Sequence, residues 1–391
     1  MIILRIIYAS CLVSKKKNKE LFENNTYTGF QVQKFHQLLC HGFAFNKCDI
    51  QILSALPVTR KNCNKIFIKK DYEKEGSIFF NYLTVINLPI LKNIFIILAA
   101  MIEMFKLAKC KDNVFLMADC LNQSVSFGAV IASKILGIKS IGIITDLPDF
   151  LSDKGKNNFN NMIIKMFNNY VLLTDEMNNY IVDNITHKNK PYIVIEGSVD
   201  YTILNEITCE KYEKKVCMYT GTLAKIYGIE YLVKGFIKAN VLNSELHIYG
   251  DGDFKNELID LCKKNSNIKY FGTKPNEYIV EEQKKATLLI NPRPSNEEFT
   301  KYSFPSKNLE YMASGTPLLA TDLPGIPDEY KRYEYIIENE NIEGIANMFR
   351  YVLNLTDAEL RKKGKMAQEF VLGTKNNIIQ TKKIMEWLNN L

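Results

Sequence analysis

Apolar positions along the chain alternate between two rhythms: short continuous runs, and positions three and four apart. The first rhythm predicts buried strands and the second predicts helices packed on one face. Residues 2–11 form the first apolar run and read as a buried strand. Residues 14–28 are polar and rich in Lys and Asn, so a loop is expected there. A helix over 29–42 follows, with Phe30, Phe35, Leu38 and Leu39 as its apolar positions, then strands over 49–56, 65–70 and 77–87. Residues 88–108 make the most apolar helix. A strand over 114–118 ends at Asp119, a helix over 124–136 closes on Gly137, and a strand over 140–145 ends at Asp146. Strand, helix and strand at that spacing make a βαβ unit, and ligands gather at the carboxyl ends of such strands. A helix over 157–167, a strand over 170–174, a helical stretch over 176–183 and a short strand over 192–195 complete the first half.

Polar sequence up to residue 215 separates this half from a second one, and the boundary is placed near residue 200. Residues 215–220 begin a new alternation and run into Gly221-Thr222-Leu223. Glycine directly after a buried strand lets backbone approach a ligand closely. A helix over 229–239 and a strand over 244–249 lead into Gly250-Asp251-Gly252-Asp253, whose composition favours a plain turn. A helix over 255–264, a strand over 268–271, a helix over 277–285 and a strand over 286–290 follow. Arg293, in the next loop, reads either as a phosphate contact or as a surface arginine.

The stretch 302–325, YSFPSKNLEYMASGTPLLATDLPG, organises the rest. It reads as loop, helix, turn, buried strand and a second Gly/Pro turn. Pro305 suits the first turn of a helix, where its missing N–H would have no intrahelical partner. Gly315 stands where a left-handed C-terminal residue is expected. Free N–H groups and the positive end of a helix dipole form an anion site. Ser306 adds a hydroxyl and Lys307 a full positive charge. Glu310 lies one turn on, on the same side, and a carboxylate there accepts from two neighbouring hydroxyls such as a ribose diol. Phosphate donors and a diol acceptor at this spacing suit a nucleoside diphosphate. Helices over 342–353, 357–372 and 376–391 end the chain.

The stretch FPSKNLEYMASGTPLLATDLPG resembles the donor-binding motif of the retaining GT-B glycosyltransferases of family four, in phrasing close to bacterial enzymes of capsule, exopolysaccharide and O-antigen synthesis. The family carries one glutamate at the position of Glu310 and another at the position of Tyr302, which is not acidic here. It usually reads Gly-Arg-Leu and a later lysine where this chain has Gly221-Thr222-Leu223 and Tyr227; Lys225 lies in the same loop. The resemblance implies two Rossmann-like α/β domains facing a cleft: residues 1–200 on the acceptor side, residues 201–375 binding the nucleotide sugar, and a terminal helix over 376–391 crossing back to the first domain. It implies donor contacts from Gly221, Thr222, Lys225, Gly250, Thr273, Lys274, Arg293, Tyr302, Ser303, Phe304, Pro305, Ser306, Lys307 and Glu310. It places Gly29 and Asp119 on the acceptor side. Lys307 would stabilise the departing diphosphate. Asp146 stands where the family often has a histidine, and would orient a sugar hydroxyl, take the acceptor's proton, or cap a turn. The implied donor is a UDP-sugar, the acceptor a lipid-linked glycan, and no metal or other cofactor is expected.

Composition narrows this picture. A length of 391 residues suits about two domains, and 47% apolar residues suffice for their cores. The net charge of +7 is spread along the chain, which argues against nucleic acid and permits attraction to an anionic membrane. Nine cysteines without a CxxC pair, and four histidines without zinc spacing, fit a reducing compartment and no metal centre. Arg5 within the first apolar run argues against a signal peptide. Lys92, Glu103 and Lys106 argue against a membrane span in 88–108. That helix reads as a core helix or as one lying on the cytoplasmic membrane face. Two rival functions are a UDP-sugar 2-epimerase on the same fold and a catalytically weak partner subunit.

Overall fold

The computed structural model describes residues 4–22, 30–60, 63–109, 113–150, 158–202 and 210–391. The chain divides into two compact units, Met1–Ser198 with Asn377–Leu391, and Val199–Asn376. Both are α/β and Rossmann-like.

The strands of the first unit are β1 (Arg5–Ser10), β2 (Asp49–Ser54), β3 (Phe67–Ile68), β4 (Asp71–Glu75), β5 (Ile78–Tyr82), β6 (Val85–Ile86), β7 (Val114–Asp119), β8 (Lys139–Ile144), β9 (Asn169–Leu172) and β10 (Tyr192–Val194). Eight of them form one sheet in the order β10-β9-β8-β7-β1-β2-β5-β4, parallel except for β4. β3 and β6 pair separately. The helices are α1 (Lys15–Phe22), α2 (Phe30–Phe45), α3 (Leu91–Leu107), α4 (Gln123–Leu136), α5 (Asn158–Met166) and α6 (Asp175–Tyr180). Central strands such as β1 and β7 are buried along nearly their whole length, as both-face coverage requires of a parallel sheet.

The second unit has β11 (Lys215–Thr220), β12 (Ser244–Tyr249), β13 (Ile268–Tyr270), β14 (Leu288–Asn291), β15 (Leu318–Thr321) and β16 (Tyr335–Ile337). They form an all-parallel sheet in the order β13-β12-β11-β14-β15-β16. Its helices are α7 (Ile229–Ala239), α8 (Lys255–Lys264), α9 (Asn276–Lys285), α10 (Ser306–Ala313), α11 (Ile342–Leu353) and α12 (Asp357–Thr374). Leu246, Ile248, Leu288, Phe236 and Phe349 share its core. Gly235 lets α7 and α11 close together, since a Cβ there would lie 2.6 Å from Ile345. The last helix, α13 (Asn377–Asn389), belongs to the first unit and packs on α2. Gly42 permits this, for a Cβ there would lie 2.3 Å from the Asn377 carbonyl oxygen.

Two local expectations fail, and one strand goes unanticipated. Residues 15–22, expected as loop, are α1. Ser14 starts it by accepting from the Lys17 amide at 3.0 Å, and donates in turn to Glu73 at 2.6 Å. The expected strand over 77–87 is two strands, β5 and β6. Its unexpected partner is β4, a charged edge strand joined to β5 through Gly76 and Ser77.

Candidate active site

The site grows from the carboxyl ends of β11, β12 and β13. Gly221 and Gly250 directly follow β11 and β12, and Gly272 lies two residues beyond β13. Their φ angles are 150°, 136° and 68°. The Gly221 amide donates to the Tyr249 carbonyl at 2.9 Å, and the Gly250 amide donates to the Gly272 carbonyl at 3.0 Å. A Cβ at Gly250 would lie 1.7 Å from the Gly221 carbonyl oxygen. Only side-chain-free backbone allows these turns to sit so close.

Lys307, in the first turn of α10, extends over this glycine row. Its ammonium donates to the Thr220 carbonyl at 2.6 Å, and a Cβ at Gly221 would lie 1.6 Å from Nζ. Burial pulls the Lys307 pKa down to about 8; Glu310 opposes the shift and the positive charge of Arg293 adds to it. Tyr311, four residues on, faces the same way. Its hydroxyl accepts from the Thr220 amide at 3.0 Å and lies 2.9 Å from the Thr220 hydroxyl. The end of β11 is thus tied to α10 at Lys307 and Tyr311. Glu310 is half-buried and accepts from Gln283 of α9 at 3.0 Å. Gln283 is fully buried, so it fixes the carboxylate's direction.

The start of α10 has no side-chain cap. Pro305 stands at the capping position itself, with φ −75° and ψ 92°, one residue ahead of the expected first turn. Ser306 opens the helix and is exposed. The Ser303 hydroxyl, just upstream, is buried without a hydrogen-bond partner among the described residues. Phe304 is buried with its ring 5.2 Å from that of Tyr330, so it anchors the loop by packing. Tyr302 is half-buried. Arg293 stacks on the rings of Tyr227 and Phe299, at 4.8 and 5.6 Å. An uncapped helix start, a lysine and an arginine make a field suited to an anion.

Other sequence-predicted residues take different places. Lys225 is exposed and its ammonium is held by Glu257 of α8 at 2.5 Å. Thr222 is exposed, and its carbonyl accepts from the Tyr219 hydroxyl at 2.8 Å. Thr273 and Lys274 are exposed beyond Gly272. Sequence reasoning missed Gln283 and Tyr311. Tyr311 was within reach, since positions 307 and 311 share a helix face. Gln283 meets Glu310 only through the fold.

Beneath α10 runs a buried polar chain. Asn291 donates to Asn308 at 2.7 Å, and Asn308 donates to Glu334 at 3.1 Å. Burial lifts the Glu334 pKa from 4.5 to about 8; the Asn308 bond opposes this, Asp322 adds to it and Lys363 opposes it. The stability tied to neutral Glu334 is therefore complete below the unfolded value of 4.5 and is lost as pH rises through about 8. Glu334→Gln keeps a neutral side chain at every pH. We expect its thermal midpoint to match wild type near pH ~4 and to exceed it near pH ~9. A variant that melts below wild type at the higher pH contradicts this placement.

In the first unit, Asp146 is half-buried two residues beyond β8. Asp119 is buried at the end of β7, with the His36 ring nitrogen 3.2 Å away and the Leu121 amide donating at 3.0 Å. Burial works to raise its pKa, but His36, Leu121 and Asn122 outweigh burial and hold the carboxyl below the ordinary range. Tyr8 closes the cluster, 2.5 Å from the other His36 ring nitrogen. Asp119 is thus engaged in joining α2 to the sheet. Gly29 lies outside the described residues.

No curated protein sequence matches the chain. The whole chain is similar in structure to a glycosyltransferase from Rickettsia africae, with a TM-score of 0.70, 15% identity and coverage of 100% of both chains. It is also similar to sucrose-phosphate synthase from Thermosynechococcus elongatus, with a TM-score of 0.66, 13% identity and coverage of 99% of this chain and 98% of that one. For HepE from Anabaena in complex with UDP the values are 0.65, 12%, and 99% and 100%. These likenesses show the fold, which matches that of GT-B glycosyltransferase structures. Residues 203–369, which hold the glycine row, α10 and the Asn308–Glu334 chain, match the family model described as glycosyl transferases group 1.

Proposed function

We propose that the protein transfers a sugar from a nucleoside-diphosphate sugar, with UDP as the nucleotide, to a lipid-linked glycan acceptor in surface polysaccharide synthesis. The observation that carries this reading is the placement of Lys307 over Gly221, with Glu310 one turn away and fixed by Gln283, inside the segment that matches the family model. The HepE structure, which holds UDP, supports the choice of base.

In this reading the diphosphate lies at the start of α10. Lys307 and the uncapped N–H groups stabilise the charge that develops as the bond from the anomeric carbon to the phosphate oxygen breaks. Glu310 accepts from the ribose hydroxyls. The acceptor oxygen bonds to the anomeric carbon on the face the diphosphate leaves, so configuration is retained. Asp146 takes the proton of the acceptor hydroxyl, or orients that hydroxyl while the departing diphosphate oxygen takes the proton. Charge neutralisation is assigned to protein groups rather than to a metal.

Asp146→Asn is expected to lower turnover by roughly 10²-fold with donor affinity unchanged. Turnover and donor titration on the same preparation check this, and unchanged turnover would reduce Asp146 to a turn residue. The anomeric configuration of the first-formed product, read by NMR, tests retention; an inverted product contradicts it.

A further inference from the structure

α3 has two unlike faces. Ile96, Ala100, Glu103 and Met104 point inward and are buried. α4 lies close against them, because a Cβ at Gly128 would fall 2.4 Å from the Ile97 carbonyl oxygen. On the other side Leu91, Ile94, Phe95, Leu98, Ile102 and Phe105 form a continuous exposed stripe, with Leu98 at 50% and Ile102 at 56% exposure. Burying such a stripe is the usual source of stability for an amphipathic helix, and here the apolar stripe faces water.

The residue ahead of the helix adds to this. Ile90 has φ 65° and ψ −58°, and the Leu91 amide donates to the Pro89 carbonyl at 2.7 Å. This is a γ-turn of the strained hand, with a β-branched residue at its centre. Its side chain is 78% exposed. The strain therefore holds an isoleucine outward and secures no core contact.

Charge selects among possible occupants. The acid of α3, Glu103, faces inward and is held by Lys70 at 2.5 Å and Lys106 at 3.2 Å. Lys106 and Lys109 are exposed at the far end of the helix. Lys65 is exposed ahead of the helix, where the Asn87 side chain donates to its carbonyl at 3.3 Å, and the exposed Lys69 adjoins Lys70 at the Glu103 end. Two copies pressed together with their α3 helices antiparallel would bring these basic ends against each other. An anionic surface meets both ends favourably. Among the described residues no helix is long and apolar enough to cross a membrane.

We propose that the outer stripe of α3, led by Ile90, docks in the headgroup plane of an anionic lipid bilayer. The proposal deepens the reading of a lipid-linked acceptor and rests on it for its purpose. The test is co-sedimentation of the full chain with vesicles of pure phosphatidylcholine, and with vesicles of equal phosphatidylcholine and phosphatidylglycerol, without any nucleotide sugar. The wild type is expected to bind the anionic vesicles and to be released by high salt. Ile94→Glu with Leu98→Glu should weaken binding at least ~10-fold while the thermal midpoint stays within a degree or so, since both positions are exposed. Lys106→Glu with Lys109→Glu should weaken it as well. Failure of the wild type to bind, equal binding by the variants, or a dimer in light scattering that the Ile94 and Leu98 variant splits would overturn the proposal. Vesicle binding is read without transfer, so binding without turnover would sink the glycosyl transfer reading alone.

Discussion

Lys307→Ala is expected to lower turnover by roughly 10²- to 10³-fold, about 3–4 kcal/mol of transition-state stabilisation. The reason lies in how the fold holds this lysine. Its ammonium lies against the glycine row, tied to the Thr220 carbonyl, and burial, with the charge of Arg293 adding to it, depresses its pKa to about 8. A charge held this way is costly to the empty protein and finds its partner when a diphosphate arrives. Two further results follow. The ordinary lysine value is 10.5 and the folded value lies below it, so the folded state disfavours the ammonium, and this penalty is relieved as pH rises from about 8 toward 10.5. Lys307→Ala should then melt no lower than wild type at neutral pH, as active-site substitutions often do. Donor affinity of the wild type should fall as pH rises through and above about 8, where the free protein loses the charge, and the variant should lack that dependence. Steady-state rates, melting curves and donor titrations against pH check all three. A variant that turns over as wild type removes Lys307 from the chemistry.

Gly250→Ala is expected to be the most damaging small substitution in the second unit. Its φ of 136° is one that L residues rarely adopt, and the added methyl would lie 1.7 Å from the carbonyl oxygen of Gly221 and 2.8 Å from its carbon. Those are backbone atoms, so no rotamer change relieves the clash. The turns after β11 and β12 must part, moving Gly221 away from Lys307. We expect a stability loss on the order of 3 kcal/mol and donor affinity weakened by at least ~100-fold. Gly272→Ala is the control. Its φ is 68°, but nothing lies within 4 Å of the added methyl, so only the conformational cost of about 1 kcal/mol applies. Equal melting points for the two variants would contradict the close approach of the turns.

Much of this was legible in the chain itself because continuous apolar runs must be buried on both faces. β7, β8, β11 and β12 announce themselves in that way, and Gly315 ends α10 with φ 75° where a left-handed residue is expected. Glycine after β11 pointed to close backbone approach before its neighbours were known. The misses have physical causes. α1 is a run of lysines whose start is fixed by Ser14, and Ser14 in turn by Glu73 far along the chain. β4 reads as DYEKE, with no apolar alternation, because an edge strand need not bury either face. The signal that would have found it is Gly76-Ser77, a two-residue hairpin loop with positive φ at its glycine. β16 has three residues, too few for a pattern. The bonds from Gln283 to Glu310 and from Asn308 to Glu334 join residues 27 and 26 positions apart, and periodicity carries no information on such pairs.

The central claim is that the glycine row and the start of α10 bind a nucleoside diphosphate. The most direct test is the thermal midpoint of the full chain with UDP, GDP, dTDP, ADP and CMP, each without added metal. The account predicts stabilisation by several degrees with UDP, as expected for a ligand well above its dissociation constant, and none with UDP for Lys307→Ala. No stabilisation of the wild type by any diphosphate would contradict it.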